Sequence, residues 1–169
     1  MIGEIYQAIG VLEKQEVVVQ NGRGFAAETG LAPQQVVAAL LEAARGGVLY
    51  IEEADVLPAN EYGLAVLELL LSVMSAETYG DMVVILAGYP DKINKMLETN
   101  PTLKDYFPYR FQFNDYTPEE LLQIAVDKFK EKEYALHPKA LEMFRNLIGK
   151  ICDKKDKRFG NVLLIDKMV

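Results

Sequence analysis

The chain is poor in the residues that mark secreted, membrane and nucleic-acid-binding proteins. Its single cysteine, Cys152, excludes an internal disulfide and favours a reducing compartment. A net charge of −7 offers no positive field to displace the counterions of DNA or RNA, so we expect no nucleic-acid partner. No uncharged apolar stretch reaches the roughly 18 residues that a membrane-spanning helix needs. The first residues also lack the basic start and apolar core of a signal peptide. We therefore expect a cytoplasmic protein, or one of an organelle stroma or matrix.

A phosphate-binding loop of the form G-x-x-x-x-G-K-[ST] is also absent from these 169 residues. The only Gly-Lys pair, Gly149-Lys150, is followed by Ile151 where the loop needs serine or threonine. Phe144 stands where the first glycine of such a loop would be.

The most informative stretch that is present runs from Gly46 to Asp55. Four apolar residues lead into the adjacent acids Glu52 and Glu53. A short apolar run of this kind predicts a strand, at 48–51, that is buried on both faces. Such a strand delivers its terminal carboxylates to the carboxyl edge of an α/β sheet, where ligands of these folds bind. In P-loop ATPases the acids at this position hold Mg²⁺ and polarise the attacking water.

Strands and helices alternate up to about residue 114, and only helices follow. The pattern predicts helices at 2–13, 33–44, 62–74 and 91–98, an irregular stretch at 21–24, strands at 16–19, 48–51, 82–87 and 109–113, and then helices at 118–132, 138–152 and 160–168. This order predicts an α/β fold with a mostly parallel sheet in residues 1–114 and a small helical lid in 115–169.

The start of the lid has the pattern of a helix amino terminus. Thr117 is a suitable N-cap, Pro118 suits the first helical position, and Glu120 completes a capping box. His137, which precedes Pro138, occupies a similar position, so we expect a structural role for it rather than catalysis.

Several short motifs recur in one known group of proteins. They are Ile5-Tyr6 with residues 8–12, the stretch 46–54, Glu61-Tyr62-Gly63, Ala87-Gly88-Tyr89-Pro90, Asn100-Pro101 with Phe107-Pro108, residues 115–121, and Phe159-Gly160-Asn161. On these motifs the chain resembles the AAA+ ATPases of the CbbX and stage V sporulation protein K group, over nearly its whole length.

The resemblance implies a ring-forming motor that uses ATP and Mg²⁺ to remodel other proteins, inhibited rubisco among them for CbbX-like members. Its partners would be proteins, including other AAA+ subunits. In this group the Walker A loop and the first strand precede the helix that opens this chain. That strand lies between those corresponding to 83–86 and 109–113, so its absence implies three alternatives: a fragment, direct pairing of those two strands, or a partner that fills the gap.

The resemblance also assigns site residues. Glu53 matches the catalytic glutamate that orients water, the alternative being a solvated acid at a strand end. Glu52 stands where the group has a metal-binding aspartate, so it is the predicted Mg²⁺ ligand. Tyr89 occupies the sensor 1 position and is predicted to contact nucleotide, the alternative being a packed turn residue.

Other positions depart from the group. Lys104 and Tyr106 replace the arginines that reach a neighbouring subunit's γ-phosphate, so Lys104 is the predicted phosphate contact and lacks the bidentate geometry of arginine. Leu163 stands at the sensor 2 arginine. Arg110 falls inside the predicted strand and is expected on the surface.

The pore loop differs as well. Its aromatic-bearing turn is Ala27-Glu28-Thr29 here, and Phe25 is either a displaced substrate-gripping aromatic or, as we favour, a core anchor.

These losses lead to the hypothesis of a degenerate module that hydrolyses little or no ATP and acts through protein interaction. The alternative is a fragment of an active remodelling motor whose P-loop lies upstream. A third possibility is an autonomous binding fold without a nucleotide.

Overall fold

A computed structural model describes residues 2–26, 30–75, 82–154 and 159–169, and the predicted pore-loop turn at 27–29 lies outside them. The chain divides into two compact units, residues 1–110 and 111–169, which are treated separately below. The predicted boundary at 114/115 stays a prediction. Within the described residues, no helix is both long and apolar enough to cross a membrane.

The first unit alternates strands with helices. In chain order its elements are α1 (Ile2–Ala8), β1 (Val17–Asn21), α2 (Gly22–Ala26), α3 (Pro33–Ala44), β2 (Val48–Glu52), a 3₁₀ helix (Ala54–Ala59), α4 (Glu61–Ser75), β3 (Val83–Leu86), α5 (Pro90–Thr99) and α6 (Thr102–Tyr106). The predicted α/β class is confirmed.

The three strands form a parallel sheet in the order β1-β2-β3. Strand β2 is central, and its Val48 and Leu49 are fully buried, as its continuous apolar run predicts. One face of the sheet packs its residues against α3 and α4 to form the main core, which includes Phe25. Phe25 is only 6% exposed, so its assignment as a core anchor is confirmed.

The opposite face of the sheet is covered less completely. Val17 and Val19 point away from the main core, because side chains alternate along a strand, and they are 39% and 54% exposed. Parallel sheets are normally covered on both faces. Part of this face is therefore an apolar surface of the unit.

Strand β3 is also open along one edge. The Val83 N–H donates to the Gly47 carbonyl (3.0 Å) and the Ala87 N–H to the Ile51 carbonyl (2.9 Å). The intervening N–H groups of Val84 and Leu86 must therefore point away from β2. Among the described residues, β3 pairs with β2 alone.

The prediction of a strand at 109–113 is wrong. These residues have no regular secondary structure, and the alternating aromatics are exposed: Tyr109 by 84%, Phe111 by 78% and Phe113 by 93%. Alternation indicates a propensity only, and a strand needs a neighbour with which to exchange hydrogen bonds. Direct pairing of 109–113 with β3 is thereby excluded.

Two other predictions need correction. The first helix ends at Ala8 rather than at 13, and Ile5 and Ile9 are 53% and 65% exposed. A glycine with positive φ, Gly10 (76°), turns the chain just after it. The irregular stretch expected at 21–24 instead completes β1 and begins the short helix α2.

The second unit consists of α7 (Pro118–Glu131), α8 (Pro138–Asp153) and α9 (Val162–Met168), as predicted to within two residues at each end. Its separate core is built on five buried residues: Leu121, Leu122, Ala125, Ile148 and Ile165. The Lys128 ammonium lies 2.7 Å from the Asp166 carboxylate and links α7 to α9.

The helix caps of this unit are those predicted. The Thr117 hydroxyl accepts from the Glu120 N–H (3.2 Å), and the Glu120 carboxylate accepts from the Thr117 N–H (2.8 Å). This pair is a reciprocal capping box. His137 caps α8, where its Nδ1 accepts from the Lys139 N–H at 3.3 Å, so the expected structural role is confirmed.

Candidate functional site

The carboxyl ends of β1 and β2 bring Asn21 and Glu52 into register at one edge of the sheet. Glu52 ends β2 with an exposed side chain, and the half-buried Glu53 follows it. The backbone of Glu53 is left-handed (φ 48°), a conformation that is uncommon outside glycine. The sharp turn at Glu53 directs its side chain away from the line of the strand.

The start of α2 packs directly against this turn. A side chain at Gly22 would overlap the carbonyl oxygen of Glu53, so only glycine fits there. The neighbouring Arg23 has its own N–H bonded to the Asn21 side-chain oxygen at 2.9 Å. Strand β1 thus places residue 23 beside residue 53.

Arg23 forms an ion pair with Glu53 across the edge. Its Nε donates to Glu53 Oε2, while the two side chains are 72% and 35% exposed. The hydrogen bond to Glu53, and then the charge of the same carboxylate, raise the pKa of the Arg23 guanidinium. Asp55 and Tyr89 add to this effect, which indicates that they lie in the same electrostatic environment. The predicted catalytic carboxylate is therefore held by a permanent cation.

A second pair lies beside the first. The Asp55 carboxylate is 3% exposed, and its Oδ2 lies 3.4 Å from the Lys92 ammonium of α5. That ammonium also lies 5.3 Å from the centre of the Tyr89 ring. Tyr89 is the N-cap of α5 and is 60% exposed, so it is not the packed turn residue of the alternative interpretation.

We refer to Arg23, Glu53, Asp55, Tyr89 and Lys92 as the edge cluster. Two of its members, Glu53 and Tyr89, were predicted as site residues. The other three were missed, because each acts through a partner that is distant in sequence. The run of acids from Glu52 to Asp55 was the only sequence signal that could have indicated Asp55.

The remaining predicted site residues lie apart from the edge cluster. Lys104 is exposed on α6. Tyr106 ends the same helix and is half-buried. Arg110 is exposed, as expected, and donates to the Asn94 side-chain oxygen at 2.9 Å. Leu163 of α9 is 69% exposed.

The edge supplies few donors for a metal ion. Within the described ranges, no three His, Cys, Asp or Glu side chains are close enough together to hold one. Mg²⁺ can bind through one or two carboxylates when phosphates and water complete its shell. Glu52 is the acid of the edge best placed for this, since Arg23 occupies Glu53, and its role as a metal ligand stays a prediction.

The sequence profile of the AAA lid domain matches residues 117–169. The chloroplastic ribulose bisphosphate carboxylase/oxygenase activase of Cyanidioschyzon merolae is 42% identical over 113 residues, or 64% of this chain. Protein CbbX of Cereibacter sphaeroides is 40% identical over 114 residues, or 65% of this chain. The chain belongs to the AAA+ family, in its CbbX-like group.

A third relative matches over a longer stretch. The ESX-1 secretion system protein EccA1 of Mycobacterium tuberculosis is 33% identical over 150 residues, or 85% of this chain. The AAA+ chain spans 38% of the length of the rubisco activase, 37% of CbbX and 26% of EccA1. It therefore corresponds to well under half of each of these relatives.

Proposed function

We propose that this chain is a degenerate AAA+ module that hydrolyses little or no ATP by itself and acts through protein interaction. Its membership of a family of protein-remodelling ATPases supports the general type of activity. The proposed role is that of a subunit or domain within a larger assembly, with other AAA+ subunits as candidate partners.

The ion pair between Arg23 and Glu53 carries this proposal. A glutamate that orients the attacking water needs a carboxylate oxygen available to that water. In this chain the guanidinium of Arg23 already occupies Oε2 of this carboxylate. Catalysis through Oε2 would first require that this charge-assisted hydrogen bond be broken.

Two further positions support low activity. Tyr106 stands where an arginine is expected to reach a neighbouring γ-phosphate, and such arginines contribute about 10³–10⁵ in rate. The exposed Leu163 stands at the sensor 2 position and has no group that can bind phosphate. Both positions lie within this chain, so both substitutions are present whichever residues precede it.

ATP and Mg²⁺ remain the proposed ligands, with weak binding. Tyr89 would contact the nucleotide, Glu52 would hold the ion together with the phosphates, and Lys104 would face the phosphates of a neighbouring subunit. The carboxyl edge of a parallel sheet is the usual position of such a ligand.

The second candidate is a part of an active, rubisco-activase-like motor whose P-loop lies upstream. The chain spans 38% or less of the three relatives described, one of which is named as a rubisco activase. The open edge of β3 and the exposed Val17 and Val19 favour this candidate, because further elements of a longer protein would cover them.

The first test is isothermal titration of the chain with ATP and ADP, with and without Mg²⁺. We expect no binding, or binding only at millimolar nucleotide. Micromolar, Mg²⁺-dependent affinity that Glu52→Gln and Glu53→Gln abolish would contradict the proposal. Glu98→Gln, an exposed acid of α5, is the matched control.

A second test separates the two candidates. The coding sequence upstream of Met1 is read for a strand followed by G-x-x-x-x-G-K-[ST], and any longer chain is assayed for ATP turnover. Turnover typical of AAA+ motors that Glu53→Gln abolishes would establish the fragment. Turnover near background would support the degenerate module.

A further inference from the structure

One oxygen of the Asp55 carboxylate lacks a hydrogen-bond partner among the described residues. The Oδ2 atom faces the Lys92 ammonium, but Oδ1 is buried and meets no hydrogen-bond donor in the part of the chain that the structure describes. A buried acceptor left without a partner normally costs about 1–3 kcal/mol. A charged group held in this way calls for a specific explanation.

The space around Asp55 is built for it. A side chain at Gly88 would overlap Asp55 Oδ1, and it would also come within 3.1 Å of the Ile93 side chain. Gly88 therefore leaves the room that the carboxylate needs beneath the loop between β3 and α5. The glycine at the first position of the Gly88-Tyr89-Pro90 motif is therefore explained by steric contact with Asp55.

The Asp55 carboxylate connects the 3₁₀ helix after β2 to the first turn of α5. Asp55 lies two residues after Glu53 in the 3₁₀ helix that follows β2, and Lys92 lies in the first turn of α5. The Tyr89 carbonyl accepts from the Lys92 N–H at 3.0 Å, so these two residues belong to the same rigid turn. A contact between Asp55 and Lys92 thus spans the gap between the Glu53 turn and the Tyr89 turn.

We infer that Asp55 is a positioning residue: it holds Lys92 against the Tyr89 ring and so fixes Tyr89 relative to Glu53. An ammonium over an aromatic face is attracted by the ring quadrupole. The Tyr89 ring is 60% exposed, and the Lys92 ammonium lies 5.3 Å from its centre. That Tyr89 would contact a nucleotide rests on the proposed function. That Asp55 fixes the position of Tyr89 does not.

The absence of tryptophan from the chain allows a direct test. Tyr89→Trp introduces a single tryptophan, whose local motion is measured by time-resolved fluorescence anisotropy without any nucleotide. In this background, Asp55→Asn and Lys92→Met should each raise the amplitude of the fast decay about twofold, because the ring loses the ammonium above it. Both changes combined should add little, since they break one contact.

The controls separate positioning from a general loss of structure. Lys95→Met removes an exposed lysine of the same helix and should leave the decay unchanged. Lys92→Arg should restore most of the original decay, because it keeps a cation over the ring. Lys92→Met leaves the buried Asp55 carboxylate without its cation, so the double variant Asp55→Asn/Lys92→Met, which removes both charges, provides the test if a single variant unfolds.

An unchanged decay in Lys92→Met, or an equal change in Lys95→Met, would overturn the inference. Because no nucleotide enters this experiment, its result does not depend on whether the chain binds ATP. Failure of the nucleotide titration would bear on the proposed function alone.

Discussion

The capping residues of the lid and the polar residues of the edge cluster are used differently. In the lid, Thr117 and Glu120 serve the end of their own helix, three residues apart. In the edge cluster, Arg23 reaches Glu53 across 30 residues of sequence, and Asp55 reaches Lys92 on another element. Local pairs stabilise one helix, whereas the distant pairs fix separate elements of the fold with respect to each other.

This difference also distinguishes the helix caps from the candidate functional site. The caps satisfy backbone groups that any helix end leaves without partners. The edge cluster instead contains a glutamate in a left-handed conformation and a buried acceptor for which the described part of the chain supplies no donor. Features that cost stability in this way are concentrated at functional sites.

The largest effect should come from the core of the lid. Leu121→Ala removes a fully buried side chain, and such changes cost about 2–5 kcal/mol. Hydrogen exchange read by mass spectrometry should show faster exchange of the amides in α7 and α8. The exposed Met143 provides the control, and Met143→Ala should leave exchange unchanged. An equal loss of protection in β2 would show that the two units do not have separate cores.

The effect of a glycine-to-alanine change on stability can be compared between the first unit and the lid. Gly88→Ala pushes a methyl group into Asp55 Oδ1 and should destabilise the first unit by about 1–3 kcal/mol in urea unfolding. In α8, nothing lies within 4 Å of a Cβ added at Gly149. Gly149→Ala should therefore stabilise the lid by up to about 1 kcal/mol through helix propensity. Asp55→Ala should relieve the cost of Gly88→Ala, and a purely additive double variant would refute the proposed clash.

The capping box should have a smaller effect. Thr117→Ala should lower the unfolding free energy of the lid by about 1 kcal/mol. Thr117→Ser keeps the hydroxyl and is the control. An alanine variant as stable as the serine variant would show that the cap contributes nothing.

The same box predicts a dependence on pH. The Thr117 N–H, which bonds the carboxylate, lowers the pKa of Glu120 below its ordinary value of 4.5. The folded lid therefore binds the proton less readily than the unfolded chain, so this stabilisation is complete above pH 4.5 and is lost as the pH falls through the folded pKa. Urea unfolding between pH 6 and pH 3 should show a weaker decline in Glu120→Gln. An identical decline in both proteins would contradict this account.

The smallest effect on stability is expected at the pair that matters most for the proposed function. Arg23 is largely exposed, and ion pairs of this kind contribute little to folding. Arg23→Gln should leave urea unfolding close to that of Arg45→Gln, which breaks an exposed pair within α3 and the turn after it. A marked loss of stability would mean that Arg23 is structural, and its proposed role in restraining Glu53 would weaken.

Most of the fold could be predicted because its signals are local. The 12 residues of α3 follow from Pro33 at the start and the apolar spacing after it, and β2 follows from its apolar run. Aromatic alternation at 109–113 failed for the opposite reason, because a strand depends on a neighbour that no local pattern can supply.

The candidate site was predictable only in part. Of the edge cluster, Glu53 was indicated by the apolar run that ends in acids, and Tyr89 by a motif of a known family. Arg23 and Lys92 carry no such motif, and surface arginines and lysines are common. Only the turn of Glu53 and the space beneath Gly88 reveal which of these cations meet a carboxylate.

The close contact between Asp55 and Gly88 affects the order in which the two positions can change during evolution. A side chain at position 88 would have to displace the carboxylate at 55 and so costs stability, whereas loss of the carboxylate first leaves room for it. Substitution at 55 is thus expected to precede substitution at 88. Relatives that retain glycine without the acid would be the intermediates of that history, and relatives with the acid but no glycine should be rare.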